Sequence, residues 1–105
     1  MKQIKILGTE YTFREDDLNN PVLAEADGIC ELYDKEITVR KQEYMAGNTD
    51  KARKYRYDHV VRHENIHAIA EESGVQYGND EALVDWIASI VPKVQNAFIE
   101  ITAGD

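Results

Sequence analysis

Two histidines and a glutamate stand in the stretch "VVRHENIHAIAEESG", residues 60–74, as His63-Glu64-x-x-His67. Side chains four apart on an α-helix lie one above the other, so His63 and His67 can turn ring nitrogens toward one ion. The chain has three histidines, and two of them fall at this spacing. Zinc suits such a pair, because a catalytic zinc takes three protein ligands and keeps one position for water. Glu64 follows the first ligand directly and is expected beside that open position. There it would act as general base, taking a proton from the water as the water attacks a peptide carbonyl.

A third ligand has to come from elsewhere. His59 extends the row, but ligands at i, i+4 and i+8 drift by ~40° and rise by ~6 Å per step, so one helix cannot close a tetrahedron with all three. His59 is therefore expected on the helix surface or lining a cleft. In "NDEALVDW", residues 79–86, Glu81 and Asp85 are again four apart on one face. One of them can ligate while the other accepts a hydrogen bond from a ligand histidine and sets its tautomer. Glu71, one turn beyond His67, is a further candidate. Tyr55, Tyr57 and Tyr77 could donate to an oxyanion, although packing is the simpler role for each.

These groups need rigid elements to hold them. "QIKILG" and "EYTFRE" alternate around Gly8-Thr9 and predict a hairpin; "ICELYD" and "EITVRK" around Asp34-Lys35 predict a second. Asn20-Pro21 and Asp27-Gly28 punctuate an irregular passage between them. A helix is expected from about Lys51 to Ser73, capped by Asn48, Thr49 or Asp50 and stopped by Gly74. One of its faces carries Val60, His63, Glu64, His67 and Glu71, bordered by Ile66 and Ala70 on one side and Val61 and Ala68 on the other. The two histidines thus fall in the inward arc, while Arg62, Asn65 and Glu72 fall at the back, toward solvent. A second helix starts near Glu81, capped by Asn79 or Asp80. Its apolar stripe is Leu83, Ile87, Ile90, Val94, Phe98 and Ile101. Trp86 is expected to pack in the core, and Pro92 to kink the helix or divide it. The expected fold is α+β: a small, mostly antiparallel sheet of three to four strands followed by two packed helices. A single domain would span 1–105, with the sheet in 1–45, the H-E-x-x-H helix in 51–74 and the second helix in 80–102.

Bulk properties narrow the setting. At 105 residues the chain has room for one modest core. A formal charge of -8 argues against a nucleic-acid partner, since a phosphate backbone repels it. The single cysteine, Cys30, cannot form an internal disulfide and is expected as a small core residue in a reducing compartment. No stretch approaches the ~20 apolar residues that cross a bilayer, and the N-terminus lacks the apolar run of a secretory signal. A cytoplasmic protein with no membrane or nucleic-acid partner is the expectation.

"HENIH" followed by "NDEALVD" resembles the gluzincin branch of zinc peptidases, whose pattern is H-E-x-x-H and then, on a later helix, N-E-x-x-x-D. Asp80 stands where that pattern has Asn. The resemblance implies Glu81 as third zinc ligand and Asp85 as carboxylate partner of the first histidine. Together with the order of elements, it makes the chain similar to the very small H-E-x-x-H proteins of bacteriophages and prophages, relatives of the ImmA/IrrE-type metallopeptidases. The implied function is a zinc-dependent metallopeptidase, a hydrolase acting on a protein or peptide substrate in the bacterial cytoplasm. The competing expectation is a catalytically inactive protein of the same minimal zincin-like core that works by binding another protein.

Overall fold

The computed structural model describes residues 1–17, 23 and 25–104. Strands β1 (Lys2–Ile6) and β2 (Thr9–Asp16) form the first hairpin, and β3 (Gly28–Glu31) and β4 (Glu36–Arg40) form the second. Helices α1 (Asp50–Ser73) and α2 (Glu81–Thr102) follow. The fold is α+β, as expected.

The sheet order is β1-β2-β4-β3. Both hairpins are antiparallel, but β2 and β4 pair in parallel, with Phe13 opposite Ile37 and Glu15 opposite Val39. The sheet is therefore mixed, and β1 and β3 are its edges. The first turn lies one residue earlier than expected: Leu7 (φ 48°) and Gly8 (φ 89°) form it, and Thr9 already opens β2. Positive φ at both central residues is the pattern of a type I′ turn, which suits the right-handed twist of the strands; Gly supplies it easily and Leu at a cost. The turn expected at Asn20-Pro21 lies outside the described residues.

Tyr11, Ile37 and Val39, the inward residues of the central strands, are almost wholly buried against Val60 and Ala68 of α1. Cys30 packs at the border of this core. α1 begins where the Thr49 hydroxyl accepts the Ala52 N–H at 3.0 Å, and it ends at Gly74, left-handed with φ 74°. Both ends follow from local chemistry that side chain and backbone dictate.

Four expectations about the helix faces fail. Glu72 does not face solvent. It accepts hydrogen bonds from Thr9 (2.7 Å), Tyr11 (2.6 Å) and Lys35 (2.8 Å), tying the last turn of α1 to both hairpins. Arg62 likewise turns onto α2, where its Nε donates to the Ala88 carbonyl at 2.9 Å. The packing face of α2 is also displaced from the apolar stripe. Val84 and Ala88 are the buried residues of α2, and they share a face with Glu81 and Asp85. Leu83, Ile87 and Ile90 are half-buried, whereas Val94 (61%), Phe98 (63%) and Ile101 (82%) are exposed. Trp86, expected in the core, is 58% exposed. α1 meets α2 at Glu81, Asp85 and Ala88, and the turns from Lys93 onward are exposed. The radius of gyration, 14.9 Å, accordingly exceeds the ~13 Å of a compact chain of this length. α2 also runs unbroken through Pro92 instead of dividing there. Among the described residues, no helix is long and apolar enough to cross a membrane.

Candidate metal centre

His59, His63 and His67 rise along α1, with ring centroids 6.5 Å apart for the first pair and 5.0 Å for the second. Facing them is the start of α2. The connection is short: a 3-10 turn over Gln76–Asn79, then Asp80, whose carboxylate caps α2 by accepting the Leu83 N–H at 3.0 Å. Gly78 allows this turn to press on α1, because a Cβ there would stand 3.0 Å from that of Ala70. As a result the Gly78 carbonyl reaches His67 Nδ1 at 2.6 Å.

That contact sets the tautomer of His67. A carbonyl only accepts, so Nδ1 carries a proton, and in the neutral ring Nε2 is left with the lone pair. Nε2 faces Glu81 Oε1 at 2.9 Å. His63 repeats the arrangement: Nδ1 lies 3.3 Å from Asp85 Oδ1, and Nε2 lies 2.9 Å from Glu81 Oε2. Both Nε2 atoms therefore converge on one carboxylate. Electron-rich atoms at such distances repel unless a proton or a metal cation stands between them.

The donor set fits zinc. His63, His67 and Glu81 each offer one ligand atom, all within 4.8 Å of one another. With bonds of about 2.0–2.1 Å, tetrahedral donors stand roughly 3.3 Å apart, so the observed 2.9 Å needs only a small outward movement. Each imidazole also has an acceptor for its second nitrogen, the usual support for a metal ligand. Glu81 is the better placed of the two acids, since it reaches both rings, whereas Asp85 reaches His63 and His59.

Glu64 is 7% exposed on the same helix. Burial pushes its carboxyl above the usual carboxylate range, His63 and His67 oppose the shift, and Glu81 adds to it. Its place depends on Gly28 of β3. A Cβ on Gly28 would come 2.7 Å from Val60 Cγ1, 3.0 Å from Glu64 Cγ and 3.1 Å from Glu64 Oε2. Open grooves flank this point. One, of about 440 Å³, is lined by Gly28, Arg56, His59, His63, Glu64 and Asp85. The other, of about 270 Å³, runs past Ile29, Cys30, Leu32, His67 and Asn79. A separate depression of about 490 Å³ lies on the other flank of α1, beside Ile4, Phe13, Tyr57 and Arg62, and holds none of the candidate ligands.

None of the remaining sequence candidates joins His63, His67 and Glu81 in their ligand group. Glu71 is exposed and belongs to neither ligand group found among the described residues. Tyr55 and Tyr77 are exposed, and Tyr57 packs beside the core. The Cys30 thiol, pushed up to about 12 mainly by burial, stays protonated near neutral pH. His59 lines the groove, as expected, and binds Asp85 Oδ1 at 2.7 Å. Gly28 and Gly78 were not legible as site residues. Their sequence signal was turn punctuation, and only the approach of another backbone or side chain shows why each lacks a Cβ. No family model matches the chain, and no curated protein or solved structure matches it either.

Proposed function

We propose that the chain is a zinc-dependent metallopeptidase in which His63, His67 and Glu81 hold the metal and Glu64 is the general base. One observation carries this reading: two imidazoles with their Nδ1 atoms occupied turn both Nε2 atoms onto a single carboxylate. When bound, zinc would polarise the scissile carbonyl and lower the pKa of a water. The chain supplies the rest. Gly78 and Asp85 orient the two rings. Glu64, whose carboxyl burial raises above the usual carboxylate range, is the group beside the ligands that would take a proton and return it to the leaving amine. Among the described residues β3 is an edge strand and borders both grooves, so an extended peptide or protein segment is the substrate class that fits.

The rival is a module that keeps the metal but works by binding a protein. The exposed apolar residues at the end of α2 favour it.

One experiment separates them. Untagged protein is loaded with zinc and incubated with a complex peptide library, and cleavage is read by mass spectrometry. The peptidase reading expects one tightly held zinc at this centre and new termini at reproducible positions. Glu64→Gln should keep that zinc and lose activity by about 10²–10⁴-fold. Zinc binding without cleavage by the wild type supports the module, and no zinc binding overturns both.

A further inference from the structure

His63 has two ring nitrogens, and each faces a different cluster of metal-binding groups. Its Nε2 belongs with His67 and Glu81, the centre described above. Its Nδ1 lies 3.3 Å from Asp85 Oδ1, which His59 Nε2 approaches at 2.7 Å, and these three residues each offer a ligand atom within 4.8 Å of the others. We propose that His59, Asp85 and His63 Nδ1 form a second, weaker position for a divalent transition metal, so that His63 bridges two ions. The proposal rests on the first centre, because the bridge needs an ion at Nε2.

Geometry and chemistry carry it. The donor set is two imidazoles and a carboxylate, which suits zinc, copper, nickel or cobalt better than calcium or magnesium. His59 Nε2 and His63 Nδ1 lie 2.7 Å and 3.3 Å from the same Asp85 oxygen, so the carboxylate already gathers both rings around one point. The wider groove opens on this side, with His59, His63 and Asp85 in its wall, which leaves room for an ion and its waters. Arg56 lines the same groove, but its Nε donates to Asp27 at 2.7 Å, so its charge is partly neutralised there. At bonds of about 2.0–2.1 Å from either side of one ring, the two ions would stand roughly 6 Å apart.

Filling the second position has a defined proton balance. With only the first ion present, His63 Nδ1–H donates to Asp85. The second ion takes the lone pairs of His63 Nδ1 and His59 Nε2. The His63 N–H bond breaks and its proton leaves to solvent, and the proton that His59 Nε2 shares with Asp85 moves to His59 Nδ1 or leaves likewise. Losing that proton and Asp85's hydrogen bond makes the second position the weaker one. A metal there changes the groove beside Glu64, so excess metal is expected to reduce turnover.

The test is calorimetric titration of metal-free, untagged protein with Zn²⁺. Wild type is expected to bind two equivalents, the second at least 10-fold more weakly. His59→Gln keeps an N–H for Asp85 but removes the ring nitrogen, so it should bind one equivalent with circular dichroism unchanged. A wild type with one equivalent, or a folded His59→Gln that still binds two, overturns the second position and leaves the first centre standing. No binding at all overturns the first centre as well. Cu²⁺ paramagnetic resonance on the wild type tests the bridge without any variant. Two equivalents sharing His63 should be spin-coupled and integrate to well under two spins, whereas two full, uncoupled spins overturn the bridge.

Discussion

Arg62 Nε donates to the carbonyl of Ala88 at 2.9 Å, and that carbonyl is the one Pro92 leaves without a helical partner. In an α-helix the N–H of residue 92 would bond residue 88, but proline has no N–H. A side chain from α1 therefore supplies the donor that α2 lacks. This explains how α2 passes unbroken through Pro92, and it fixes α2 against α1 two turns beyond Glu81. Arg62→Ala should cost about 1–3 kcal/mol, the penalty for a buried acceptor left unpaired. In a Pro92→Ala background, where the helix supplies its own donor, the same substitution should cost clearly less. A double-mutant cycle by urea denaturation measures the coupling, and equal costs in both backgrounds would discard the compensation.

Gly28 is predicted to matter through the place it leaves for Glu64. Gly28→Ala puts a methyl group 2.7 Å from Val60 Cγ1 and 3.1 Å from Glu64 Oε2, closer than side chains tolerate. Overpacking of this kind costs about 1–3 kcal/mol. Because the base is displaced while the histidines are not, kcat should fall more than zinc affinity. Proportional loss of both would show that the strain spreads to the ligands.

For Glu64 the direction of the pH effect follows from its raised pKa. Below the ordinary value of 4.5 the carboxyl is protonated whether the chain is folded or not, and burial adds no charge penalty. Above it the unfolded chain ionises first, so stability is lost as pH rises through the folded-state value. Metal-free Glu64→Gln should therefore be more stable than wild type at pH 7, with the difference closing as pH falls below the ordinary value of 4.5. Thermal melts in chelator across that range test the sign.

Glu72 has the opposite behaviour. Hydrogen bonds from Lys35, Tyr11 and Thr9 pull its carboxyl down to about 2 from an ordinary 4.5. Its contribution is present above pH 4.5 and disappears as pH falls toward 2. Glu72→Gln should lower Tm at pH 7, and the gap from wild type should narrow steadily on acidification. A gap that stays constant from pH 6 to pH 2 would mean that geometry, not charge, holds this junction.

Much of the local structure could be read along the chain because local chemistry decides it. Thr49, Gly74 and Asp80 act at helix ends through atoms within a few residues of themselves, and the second hairpin lies in the expected stretch, although Leu32 and Tyr33 join Asp34 and Lys35 in its turn. The i, i+4 spacings of His63 with His67 and of Glu81 with Asp85 guarantee a shared face before any packing is known. What they do not say is which faces meet. Hydrophobicity alone pointed α2 toward Leu83, Ile87 and Ile90, yet Val84 and Ala88 are its buried residues, between and beyond the two acids.

Only the tertiary structure settled that choice, along with the parallel pairing of β2 and β4 and the inward turns of Arg62 and Glu72. Each depends on groups far apart in the chain: Arg62 on a carbonyl 26 residues later, Glu72 on hydroxyls more than 60 residues earlier. Periodicity assigns a residue to a face of its own helix. It contains nothing about what another element will bring to that face, and so an arginine or glutamate with a distant partner reads the same as one bound for solvent.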